Sequence, residues 1–146
     1  GGTKVGALLG EAVVIPNLSI QRDFRYMVKR MGGMLAKGRV LGIQFETLFE
    51  DGLYFQLGRQ AVELAQRIRS AFQECGVEMA FDSPTNQQFP ILTLAQREAL
   101  AQTYVFNHWQ DLDGDRAVVR FCTSWATSQE AAAALCQDIL HICGNR

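Results

Sequence analysis

Asp111-Leu112-Asp113-Gly114-Asp115 is the stretch on which the fold turns. Asp-Gly is the pair that tight hairpins favour, because glycine accepts the positive φ that such turns demand. A run rich in β-branched and aromatic residues lies on each side, Tyr104-Val105-Phe106-Asn107-His108-Trp109 before it and Arg116 to Cys122 after it. Strand, turn and strand predict an antiparallel hairpin. Working outward, Thr127 and Glu130 form a Thr-x-x-Glu capping box that starts a last helix, closed at Gly144. Upstream, Thr93 and Gln96 form a second capping box, for a short helix ending near Gln102. Before that, Val77 to Phe81 and Gln87 to Leu92 read as strands joined by Asp82-Ser83-Pro84-Thr85-Asn86. The order β-β-α-β-β-α makes an α+β layer, a small antiparallel sheet with helices on one face.

Long helices are expected ahead of this layer. Leu53 to Glu74 places Leu57, Ala61, Leu64, Ile68, Ala71 and Phe72 on one face and ends at Cys75-Gly76, with Gly76 as a left-handed cap. An earlier helix is predicted from about Gln21 to Glu50, where Phe24, Met27, Val28, Met31, Leu35, Leu41, Phe45, Leu48 and Phe49 recur at three- and four-residue steps. Gly32, Gly33, Gly38 and Gly42 fall inside it, each costing about 1 kcal/mol relative to alanine, so a kink or a close approach must explain them. Val13 to Ile15 reads as a short buried strand ended by Pro16 and Asn17. The Met- and Phe-rich stripe of the earlier helix is too apolar to leave uncovered, which predicts a homo-oligomer.

Composition narrows the function classes. In 146 residues, 48% are hydrophobic and 20% charged, which is globular, and a net charge of −1 offers no electrostatic case for nucleic acid or a membrane surface. No run approaches a transmembrane length and no signal peptide is visible. Cys75, Cys122, Cys136 and Cys143 have no metal-ligand spacing, so no metal is expected. They read as reduced, mostly buried thiols of a cytoplasmic protein. His108 and His141 read as structural.

Two stretches carry chemistry. In Gly1-Gly2-Thr3-Lys4-Val5-Gly6-Ala7-Leu8-Leu9-Gly10 a single lysine stands among glycines that let a bulky ligand come close. An amine desolvated in such a setting loses its proton more easily and becomes a nucleophile, suited to a Schiff base with a carbonyl cofactor. The alternative is an ordinary solvated lysine. In Val118-Val119-Arg120-Phe121-Cys122-Thr123-Ser124-Trp125, strand alternation puts Arg120 on one face with Val118 and Cys122. A guanidinium there needs a partner, either a salt bridge or the two oxygens of a substrate carboxylate.

Extended to Gly10-Glu11-Ala12-Val13-Val14, the lysine segment resembles that of the low-specificity threonine aldolases, in the β-eliminating lyase group of fold-type I pyridoxal-phosphate enzymes. The resemblance implies that Lys4 holds pyridoxal 5'-phosphate, with Gly2 and Thr3 beside it in the cofactor site. Val5 stands where many relatives have Asn, a departure that bears on subfamily and substrate. Arg120-x-x-Thr123-Ser124-Trp125 is similar to the segment whose arginine grips the amino acid's α-carboxylate. In Lys29-Arg30-Met31-Gly32-Gly33-Met34-Leu35-Ala36-Lys37-Gly38-Arg39, Ala36 occupies the place of the family's phosphate-directed arginine. The resemblance therefore assigns Lys37 or Arg39 to the cofactor phosphate and Lys29 to the substrate.

The implied reaction is retro-aldol cleavage of a β-hydroxy-α-amino acid to glycine and an aldehyde. The implied layout is residues 1–50 as the end of a large cofactor-binding domain and 51–146 as a small α+β domain, in a dimer or tetramer. The chain opens inside what looks like a functional loop and has no initiator Met, so it is expected to be the C-terminal portion of such an enzyme, inactive by itself. Two alternatives stay open: another pyridoxal-phosphate β-eliminating lyase, or a noncatalytic dimerising domain.

Overall fold

A computed structural model describes residues 1–144. The chain divides into two units, Gly1–Phe55 and a second that begins at Gln56. In the first, α1 (Phe24–Arg30) and α2 (Arg39–Phe49) replace the single helix expected from Gln21 to Glu50. The glycines are the reason. Gly32 takes φ +75°, and its N–H bonds to Lys29 O at 3.1 Å while that of Gly33 bonds to Val28 O at 2.9 Å. That pair of bonds is a Schellman motif, which ends a helix. Val13 to Ile15, expected as a buried strand, has no regular structure; Val13 and Val14 are exposed, and among the described residues no strand pairs with them.

α3 (Leu53–Glu74) has the bounds its periodicity predicts. Gly76 ends it at φ +73°, with Val77 N–H bonded to Phe72 O at 3.0 Å. In the second unit β1 (Gln87–Gln88) and β2 (Ile91–Leu92) run antiparallel along one edge of the central β4 (Ala117–Cys122), and β3 (Asn107–Asp111) along the other. β1 and β2 are the strand expected from Gln87 to Leu92, interrupted at Phe89-Pro90 because proline has no N–H for the ladder. Register survives the gap, since Gln88 faces Phe121 and Ile91 faces Val118. The strand expected from Val77 to Phe81 shrinks to a bridge between Met79 and Pro90. The hairpin forms where Asp113-Gly114 places it, with Gly114 at φ +76° and Leu112 N–H bonded to Arg116 O at 3.0 Å.

Alternation along β4 sorts its two faces. Val119 and Phe121 join a core with Ile68 and Phe72 of α3, Leu100 of α4 (Leu94–Ala101), and Leu135 and Ile139 of α5 (Gln129–Gly144). Phe72, Leu92, Leu100 and Ile139 are fully buried, each stabilising the fold by about 1.5–3 kcal/mol relative to exposure. Helices thus cover one face, as an α+β layer requires.

Both capping boxes were expected, and one forms. Thr93 accepts from Gln96 N while the Gln96 side chain accepts from Thr93 N. α5 is capped one residue later than expected, by Ser128, whose hydroxyl accepts from Ala131 N at 3.1 Å. Thr127 instead accepts from Ser124 N at 3.0 Å, ordering the turn that leaves β4. Of the four cysteines only Cys143 is buried; Cys122 is exposed and Cys75 and Cys136 are half-buried, all as free thiols.

Candidate active site

Lys4 lies in a short 3-10 turn, Thr3–Val5, inside a loop tied at several points. Val5 N and Ala7 N both donate to Gly2 O at 3.0 Å, Gly2 N donates to Gly10 O at 3.4 Å, and Leu8 N donates to Gln44 Oε1 of α2 at 2.7 Å. Gly2 is buried so tightly that a Cβ there would stand 2.6 Å from that of Ala7. Val5 and Ala7 point inward, which leaves Thr3 and Lys4 exposed. Among the described residues the Lys4 amine has neither an ion pair nor a hydrogen bond. The loop is fixed, but the Lys4 side chain is solvent-exposed and not desolvated as its glycine-rich setting suggests, because the inward places of the turn are taken by Val5 and Ala7.

Lys29, on α1, lines a concavity of about 970 Å³ with Arg25, Val28, Gly33, Leu35 and Leu41. Arg25 and Lys29 make it cationic. Lys37 sits in the turn between α1 and α2 and is exposed, outside that lining.

Arg120 lies on the face of β4 opposite the core, half-buried. Its Nη1 donates to Gln87 Oε1 at 3.3 Å and its Nη2 to Asn107 Oδ1 at 3.1 Å. Its Cζ is 5.3 Å from the centre of the Trp109 ring, close enough for a cation–π interaction. Its Nε is buried and has no partner. Among the described residues no carboxylate pairs with it, so the charge is held without being neutralised. Just beyond, Thr123 fixes the end of β4: its buried hydroxyl donates to Ala61 O of α3 at 2.6 Å, and Asn86 Nδ2 donates to Thr123 O at 2.7 Å.

A fixed loop with a free amine and an arginine lacking a counter-ion are the two features that the sequence singles out. A low-specificity L-threonine aldolase of a Pseudomonas species is 31% identical over 141 residues, which is 95% of this chain and 40% of that protein. That of Pseudomonas aeruginosa is 29% identical over 146 residues, 99% of this chain and 41% of that protein. A solved structure of Leishmania major threonine aldolase superposes with a TM-score of 0.77 at 31% identity, over 84% of this chain and 36% of that one. The chain is threonine aldolase-like. It spans about two fifths of the length of the curated relatives it matches. No family model matches the sequence.

In this threonine aldolase-like chain, Gly2, Thr3 and Lys4 share one loop, whereas Lys37 lies apart from the concavity that holds Lys29. Gln87, Asn107 and Trp109 were not anticipated around Arg120. For Asn107 the signal was the hairpin register, which puts it directly across from Arg120. Trp109, two residues along from Asn107, is the extra residue of a bulge between His108 and Gln110. No group of three or more His, Cys, Asp or Glu side chains among the described residues could hold a metal, and no helix among them is long and apolar enough to cross a membrane.

Proposed function

We propose that the chain carries the cofactor lysine and the carboxylate-binding arginine of a pyridoxal-phosphate-dependent lyase that cleaves β-hydroxy-α-amino acids to glycine and an aldehyde. The observation that carries this reading is Arg120: a half-buried guanidinium with only neutral amides at its terminal nitrogens is a receptor awaiting an anion. The Lys4 loop fits the cofactor as well, because it holds a free amine on a backbone ring too tight for any side chain at Gly2.

Pyridoxal phosphate, when bound, supplies the electron sink that makes the Cα–Cβ bond breakable. Lys4 Nζ would be the amine that holds it. Arg120 grips the α-carboxylate by two parallel hydrogen bonds and so fixes rotation about the substrate's N–Cα bond, which selects the bond that breaks. Lys37 and Lys29 supply positive charge for phosphate and substrate. The exposed Leu8, Val14, Leu18 and Met31 of the first unit support a homo-oligomer, and four free thiols suit the cytoplasm.

A chimera tests this, with these residues replacing the matched segment of the Pseudomonas aeruginosa relative. Glycine and acetaldehyde released in equal amounts from threonine, and lost with Lys4→Ala, are expected. Turnover that survives Lys4→Ala, or pyruvate and ammonia from serine in place of glycine, would contradict it.

A further inference from the structure

The edge and the face of the Arg120 guanidinium are treated differently. Trp109 occupies the face, at 5.3 Å, and stabilises the cation without consuming any N–H. Gln87 and Asn107 occupy the edge, one at each terminal nitrogen. A guanidinium has five N–H donors. Two are spent on the amides and the Nε–H is buried, so each terminal nitrogen keeps one N–H for the oxygens of a carboxylate.

The sheet builds this cradle from three strands. Asn107 of β3 is the direct cross-strand partner of Arg120. Gln87 of β1 faces Cys122, two residues along the same face of β4. The extra residue of the β3 bulge is Trp109, which also packs edge-on against Phe89 at 5.2 Å. Amides are a telling choice at these positions. Asp or Glu would make a stronger bond to the arginine, but would also cancel its charge and compete with an incoming carboxylate.

We propose that Gln87 and Asn107 are positioning residues, whose amide oxygens aim the Arg120 fork at one carboxylate while leaving its charge intact. The proposal rests on the reading of Arg120 as a carboxylate receptor and names what makes it one. It predicts opposite effects of one substitution on stability and on binding. Asn107→Asp keeps shape and hydrogen bond and adds an ion pair, so the fold is as stable or more stable while the receptor is weakened. A merely structural asparagine would not separate the two.

The test uses Trp109 as reporter, in the full chain with Trp125→Phe so that it is the only indole. Its fluorescence is titrated with acetate at constant ionic strength, with acetamide as the neutral control. Saturable quenching by acetate and none by acetamide is expected, absent in Arg120→Gln. Asn107→Asp and Gln87→Glu are expected to raise the acetate Kd roughly tenfold at an unchanged or higher Tm, and Asn107→Ala to raise it by a smaller factor. If both acidic variants bind acetate like the parent while Arg120→Gln does not, the positioning role falls and the carboxylate reading stands. If affinity and Tm fall together in Asn107→Asp, the residue is structural and the proposal is overturned. If acetate gives no response, or one that Arg120→Gln retains, the carboxylate reading fails and the proposal with it.

Discussion

Replacing Thr123 by valine tests how the end of β4 is held. The Thr123 hydroxyl is buried and donates to Ala61 O in α3 at 2.6 Å, with a second, longer approach of 3.3 Å to Asn86 O. Valine keeps the volume and removes the donor. Neither carbonyl is orphaned, since Ala61 O lies within α3 and Asn86 O still accepts from Thr123 N at 3.0 Å. The loss is then close to that of one well-made hydrogen bond, about 1–1.5 kcal/mol, and not the larger penalty of a stranded polar group. With a urea m-value near 2 kcal/mol/M, the unfolding midpoint should fall by about 0.5–0.75 M with m unchanged. Thr123→Ser keeps the hydroxyl and should lose clearly less. A valine variant as stable as the parent, or a serine variant hurt as much as valine, would show that the hydroxyl does not tie β4 to α3.

Other expectations follow from single observations. Gly2→Ala places a Cβ 2.6 Å from that of Ala7, so the Lys4 loop must open; the variant should bind pyridoxal phosphate at least several-fold more weakly in a spectrophotometric titration while α3 to α5 keep their circular dichroism. Ser128→Ala should lower stability by about 1 kcal/mol through loss of the α5 cap, measured by urea unfolding. Alkaline pH should destabilise the fold. Burial, then the hydrogen bond to Asp138, pushes the Tyr104 hydroxyl from 10.0 up to about 12, and burial, then Cys75, pushes the Cys143 thiol from 9.0 to about 11. Both values are raised, so their stability is fully present below pH 9.0 and is lost on rising to about 12. Tm should fall across that window, and Tyr104→Phe should flatten its upper part.

Legibility in the sequence followed how local each determinant is. α3, α4 and the Asp113-Gly114 hairpin were readable because periodicity, a capping box and a turn pair act within a few residues. The helix expected from Gln21 to Glu50 failed at Gly32 and Gly33, where two backbone bonds outweighed the continued apolar spacing. Val13 to Ile15 has strand composition, but a strand exists only with a partner to pair with. Ser128 displaced Thr127 as the cap because the Thr127 hydroxyl is engaged by the turn before it. The lysine loop and Arg120 were legible as chemistry. The cradle of Arg120 was not, because it depends on the register between three strands.

The most direct test of the account is the identity of the lysine that holds the cofactor. The chain is mixed with an equimolar amount of pyridoxal phosphate, reduced with borohydride, digested and mapped by mass. The account predicts label concentrated on Lys4, the amine presented free on its glycine loop. Label spread over Lys29, Lys37 and Lys4 alike, or concentrated on a lysine other than Lys4, would contradict it.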